Sequence, residues 1–284
     1  NCTINKNMSL NKKDTKILQQ LDLDPKIPMS KLAKNIRLSQ QLVDYRIKKL
    51  IENNIITQFG TILNLSKINY KQYRLLFQLD NITEEEKHKI ISYLKDNNKV
   101  YWAAIVGGKW DLFVVVFVKN YEEFENFLDE LFSRFPKALK DYEALETLSH
   151  ELYKHKYLHE NKNILPSIKI NLSDSKKEIK LDKIDISILS QIKSNCRLSS
   201  LEVSKKCNTS YKTVQNRIKN LEQEGLIEGY RIFLKSENFD YEAYLLLISF
   251  QSYGRDTEKK LIGYARNNGS ITQAIKLFGR WSLL

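Results

Sequence analysis

The sequence predicts an α+β chain in which one two-part unit occurs twice, the second time incompletely. Three observations lead there. Sliding the sequence against itself by 171 residues aligns Leu10 to Phe113 with Leu181 to Leu284 without a gap and with 27 identities in 104 positions; a match of that length means the same fold twice. Each copy opens with three short runs of apolar residues at helical spacing. The remainder of the first copy alternates apolar and polar residues as strands do.

The elements follow in order. After Asp14, residues Ile17, Leu18 and Leu21 form the stripe of an amphipathic helix. "PMSKLAKNI" (Pro28 to Ile36) is a second, with Leu32, Ala33 and Ile36 facing inward. In "SQQLVDYRIKKLIENNII" (Ser39 to Ile56), Ser39 stands as N-cap of a third helix that buries Val43, Ile47 and Leu50. Asn54 sits where the second copy has Gly225, and both residue types tolerate the left-handed conformation that ends a helix. Three short helices with tight connections make a helix-turn-helix. Ile55 to Leu65 and Leu226 to Leu234 read as its β-wing in each copy.

A strand over Tyr73 to Leu79 comes next, then a helix over Thr83 to Asn97 that opens on an N-cap and an acidic first turn. "VYWAAIVGGKWDLFVVVFV" reads as two strands hinged at Gly107-Gly108. A helix over Tyr121 to Phe132 and a strand over Leu139 to Ser149 complete a ferredoxin-like β-α-β-β-α-β layer. The predicted divisions are a winged helix-turn-helix at 9–65, a ferredoxin-like ligand-sensing and dimerisation domain at 66–150, a linker at 151–180, a second winged helix-turn-helix at 181–235 and an incomplete second sheet domain at 236–284. The linker is polar and charged, and a flexible chain of about 30 residues spans roughly 30 Å.

Composition bounds the partners. The 46 basic and 34 acidic side chains leave a net charge of +12, which favours a polyanion such as nucleic acid. Cys2, Cys196 and Cys207 supply neither a disulfide framework nor metal-ligand spacing, which points to a reducing compartment. "LFVVVFV" (Leu112 to Val118) is too short to span a bilayer and no signal segment opens the chain, so the expectation is a cytoplasmic protein with no membrane partner. A start at Asn1 and a second copy that stops at the equivalent of Phe113 suggest a fragment whose gene continues past Leu284.

The helix-turn-helix with its wing, the hairpin "VGGKWDLFVVVFV", and above all "TSYKTVQNRIKNLEQEGLIEGYRIFL" (Thr209 to Leu234) resemble the leucine-responsive regulator (Lrp/AsnC) family. The resemblance implies a transcription regulator that dimerises through its sheet domain and senses a small molecule, often an amino acid, without a cofactor. This chain departs from the pattern in its tandem units, its shortened second unit and Asn53-Asn54 in place of Glu-Gly.

With Val43, Ile47 and Leu50 buried, Gln40, Gln41, Asp44, Tyr45 and Lys48 face outward beside Ser39, and Tyr211, Lys212, Gln215, Asn216 and Lys219 do so beside Ser210. Gln and Asn suit adenine edges and Lys suits guanine in the major groove. Only the lysine is shared, so the two faces are expected to read different sequences of double-stranded DNA. Arg46 and Arg217 match between the copies and admit two readings, phosphate clamps or partners of Asp14 and Asp185. Gly107, Gly108, Trp110 and Asp111 occupy the hairpin where the family's effector pocket is found; the plainer alternative is a turn with a core tryptophan. Two other classes remain. Sirohaem decarboxylases resemble the same architecture, but here His88, His150, His155 and His159 lie off the hairpin and no nucleophile or paired carboxylate is placed for acid/base work, so no enzyme is expected. The last is a sensor that no longer binds DNA. Assembly is expected either as a homo-oligomer or as an intrachain pseudo-dimer.

Overall fold

The computed structural model describes residues 10–284 apart from 81, 160–164, 174–177, 236–241 and 251–254; Cys2 and Tyr241 fall outside the described residues. The first helix-turn-helix consists of α1 (Lys12–Leu23), α2 (Met29–Ile36) and α3 (Gln40–Glu52). Asn11 caps α1 by accepting from the amides of Lys13 and Asp14, and Ser39 caps α3 by accepting from Leu42. Arg37 and Asn54 end α2 and α3 in the left-handed region, and Gly225 takes the place of Asn54 in the second copy. Ile17, Leu18, Leu21, Leu32, Val43, Ile47 and Leu50 form one buried cluster, as their spacing requires.

Strand β1 (Ile56–Leu63) does not fold back into a wing of its own. It leads into the layer of β2 (Lys71–Leu79), α4 (Glu84–Asp96), β3 (Val100–Ile105), β4 (Leu112–Val118), α5 (Tyr121–Arg134) and β5 (Leu139–Leu152). The sheet order is β3-β4-β2-β5, the ferredoxin-like order. Tyr73, Leu75 and Phe77 point to α4 and α5, while Leu76, Phe113, Val115 and Leu145 line the opposite face. After β6 (Ile168–Asn171), the second helix-turn-helix comprises α6 (Lys183–Ile192), α7 (Ser200–Lys206) and α8 (Tyr211–Gln223), followed by β7 (Ile227–Leu234), α9 (Arg255–Asn267) and β8 (Gln273–Phe278).

The two copies join at two places. β1 pairs with β7 antiparallel, so the strands expected as separate wings form one ribbon shared by both units. Gly60 lies opposite Arg231, its own counterpart at the 171-residue offset, with Phe59 against Ile232 and Thr61 against Tyr230, so a local two-fold axis passes through that pair. Farther on, β5 outruns β2 and pairs with β8 from Glu146 to Leu152. Bridges from Leu283 to Ile248 and to Lys276 mark the second unit's own short sheet. Its exposed edge thus borrows a strand of the first unit.

The segment expected as a free tether is partly built in. Tyr153, Lys154, His155, Lys156 and Leu158 are buried. Lys156 Nζ donates to the carbonyls of Ala265 (2.7 Å), Asn268 (2.8 Å) and Ile271 (3.3 Å) at the end of α9, the place where a helix favours a cation. Polarity misleads here because the partners come from a distant part of the chain.

Candidate nucleic-acid interface

α3 and α8 present the residues that the sequence singles out. Gln40, Gln41, Tyr45 and Lys48 are exposed on α3, as are Tyr211, Lys212, Gln215, Asn216 and Lys219 on α8, and Asp44 is half-buried. Ser39 and Ser210 are exposed N-caps, Ser210 accepting from Thr213. Their hydroxyls leave the remaining orphan amides of the first turn directed outward, a ready phosphate contact.

The arginines are bound within the protein. Arg46 reaches Asp14 at 2.9 Å, and Arg217 reaches Asp182 at 2.8 Å and Asp185 at 3.2 Å. These pairs tie each recognition helix to the first helix of its motif, the second of the two alternatives. Asp44 is engaged by Lys48 at 2.7 Å, an exposed pair of little strength that a phosphate can replace.

On the hairpin, Trp110 is buried in the cluster on the sheet face opposite α4 and α5, where Ile275 and Leu277 of the second unit also pack. Asp111 accepts from the amide of Leu79 at 2.8 Å, and Gln78 donates to the Lys109 carbonyl, so these groups fasten the turn to β2. Gly108 has φ +109, and a side chain at Gly107 or Gly108 would meet open space. Its counterpart Gly279 is packed tightly on β5, where a Cβ would come within 2.6 Å of Leu145. The two hairpins are therefore unlike, one open and one closed.

Sequence reasoning missed a polar network between the units. Asp22, fully buried, accepts from the His155 amide (2.9 Å), from His155 Nδ1 (2.7 Å) and from His159 Nε2 (3.0 Å). Arg231 donates to His155 Nε2 at 3.3 Å, which fixes His155 as the neutral Nδ1–H tautomer. Burial alone would raise the Asp22 carboxyl, but the bonds from His155 and His159 hold it well below the usual carboxylate range. Burial pushes the His155 imidazole down, against the opposing bond to Asp22. The network joins α1, the tether and β7, three segments far apart in the chain.

A winged helix-turn-helix DNA-binding family matches the chain twice, at residues 10–57 and 181–228. The HTH-type transcriptional regulator FL11 of Pyrococcus abyssi is 30% identical over 122 residues, which cover 43% of this chain and 80% of that protein. The chain belongs to the Lrp/AsnC family. The leucine-responsive regulatory protein of Haemophilus influenzae is 39% identical over 74 residues, 26% of this chain and 45% of that one. Among solved structures, the sirohaem decarboxylase NirDL superimposes over 95% of this chain and 80% of its own, with a TM-score of 0.60 and 14% identity, a likeness of fold alone. Lrp/AsnC relatives thus account for one unit at a time, and the NirDL fold for both together. Among the described residues no helix is long and apolar enough to cross a membrane.

Proposed function

We propose that the chain is a cytoplasmic transcription regulator that reads an asymmetric double-stranded DNA site, α3 taking one half and α8 the other. The observation that carries this reading is the β1–β7 ribbon. It relates two helix-turn-helix motifs by a local two-fold within one chain, whereas regulators with this motif ordinarily bring two chains together to span half-sites about one turn, 34 Å, apart. Gln41 and Asn216 are assigned to base edges, Lys48 and Lys219 to phosphates, and an effector such as an amino acid to the open hairpin at Gly107-Gly108.

Selection of bound duplexes from a random pool with the full chain tests the reading, and the expected product is a non-palindromic site. Titration of that duplex should saturate at one chain per site; two chains per site would remove the pseudo-dimer. Lys48→Ala and Lys219→Ala should weaken binding to every duplex and lower the salt slope by about 1 each. Gln41→Ala and Asn216→Ala should relax preference at one position, at about 1 to 3 kcal/mol. Equal losses on selected and random DNA for all four variants would sink the roles.

Enzymatic activity is the second reading, favoured by the superposition of both units on a decarboxylase. Incubation with sirohaem separates the two: a shifted absorption band and loss of carboxylate from the tetrapyrrole support the enzyme, and an unchanged spectrum supports the regulator.

A further inference from the structure

Arg74 is buried with no counter-charge among the described residues. It lies on β2, on the face opposite α4 and α5, and is 5% exposed. Its guanidinium sits 5.8 Å from the Phe113 ring, donates to Gln72 Oε1 at 3.4 Å, and leaves Nε without a partner among the described residues. Burial brings its pKa down to about 10, so it stays cationic at neutral pH. Arg74 pairs in register with Leu145, which puts Thr147 on the same face, and the Thr147 hydroxyl is likewise buried and unpaired. The register with β8 sets His150 on this face too, opposite Ile275.

Arg231 arrives from the ribbon. Its charge and that of Arg74 both act on His150 and on Tyr101. The hydrogen bond it donates goes to the neutral His155, and the carboxylate acting on it, Asp22, already serves both histidines. Tyr101 is 64% exposed, yet enough protein surrounds it for burial to raise its phenol while the two arginines oppose the shift. Arg74, Thr147 and His150 thus share one face of the sheet, and Arg231 lies near enough for its charge to act on the same two rings.

A buried guanidinium lacking an anion costs several kcal/mol. The fold does not require this one. At the 171-residue offset Arg74 corresponds to Leu245, and Arg231 corresponds to Gly60, so the same architecture does without either arginine in the other copy.

We propose that Arg74, Arg231, Thr147 and His150 form one oxyanion-binding site per chain, which takes a small ligand bearing a phosphate or carboxylate group. Arginine forks match either group with paired N–H bonds. The exposed Trp102 ring packs edge-on against Phe113, over which Arg74 also lies, and with Tyr101 it can pack against the body of the ligand. His150 is held neutral, with burial first and Arg74 second pulling it down to about 3, so a bound anion would restore its proton and recruit a further donor.

The test uses the full chain, with inorganic phosphate and succinate titrated separately at ionic strength held constant with sodium chloride and followed by calorimetry and thermal unfolding. Saturable binding at one site per chain is expected, with a rise in unfolding temperature. Arg74→Leu, which installs the residue of the second copy, should unfold at a higher temperature than wild type without ligand and bind at least tenfold more weakly. Lys95→Ala, exposed on α4, should bind as wild type. Response to phosphate alone or to succinate alone identifies the group and supports the site. No saturable binding of either anion, or unaltered affinity in a folded Arg74→Leu, overturns it.

Discussion

Asp22→Ala is expected to lower the unfolding free energy by about 3 to 5 kcal/mol, because deleting one member of a buried, hydrogen-bonded charge network strands its partners. Three hydrogen bonds end on this carboxylate, and its removal leaves Arg231 with a neutral ring and no anion behind it. At roughly 2 to 4 °C per kcal/mol for a chain of this size, the unfolding temperature should fall by about 10 °C. Asp44→Ala provides the comparison, since its ion pair with Lys48 is exposed and worth at most about 1 kcal/mol. Asp22→Asn should fall between them, because an amide oxygen still accepts from His155. If chemical denaturation gives Asp22→Ala and Asp44→Ala the same small loss, the network does not hold the units together.

The second large effect is acid sensitivity. Burial keeps His150 and His155 below the ordinary histidine value, so the folded chain holds both rings neutral while the unfolded chain takes up protons below about pH 6.5. The unfolded state then binds more protons, and stability, fully present above that pH, is lost as pH falls. Two such groups give a slope of up to about 2.7 kcal/mol per pH unit. His155 faces Asp22, Arg231 and Lys154; its second proton would be placed against Arg231, which turns a hydrogen bond into a repulsion. His150 faces Arg74, Arg231 and Gln273. Asp22, depressed rather than raised, contributes above about pH 4 and is lost only below it, so it adds a later stage of the same sign. Denaturant midpoints measured from pH 7.5 to 4.5 should fall steadily, and His150→Gln should remove about one proton from the slope. A flat profile, or one that the substitution leaves unchanged, would contradict this.

Much of the architecture was legible because the signals are local. Ser39 and Thr83 cap the helices they precede, the Ile17-Leu18-Leu21 and Val43-Ile47-Leu50 stripes face one core, and the alternation in "YRLLFQL" sets Tyr73, Leu75 and Phe77 on one face. What failed depends on pairs far apart in sequence. β1 reads as a wing because nothing near it announces that its partner lies 171 residues on. Arg74, in the polar phase of its strand, reads as a solvent-facing residue, although the second unit covers that face. His155 and Lys156 read as tether for the same reason. One signal was available: at the 171-residue offset Arg74 stands against Leu245 and Arg231 against Gly60, two arginines with no basic counterpart in the other copy.

The shared ribbon also imposes an order on biosynthesis. β1 leaves the ribosome long before β7, and at about 5 to 20 residues per second the interval is roughly 10 to 30 s. Throughout it, an unpaired strand waits beside a helix-turn-helix that is already able to fold. Neighbouring nascent chains on one messenger carry the same waiting strand at high local concentration, and because the ribbon is nearly two-fold symmetric, a second β1 is the competitor most like β7. Gly60 bears on that contest: opposite itself it presents no side chain, whereas opposite Arg231 it meets one whose far end is anchored to His155. The bond that distinguishes the right partner is thus formed only once the tether and the second copy have both been made, which makes late closure within the chain, rather than early capture between chains, the step that commits the product.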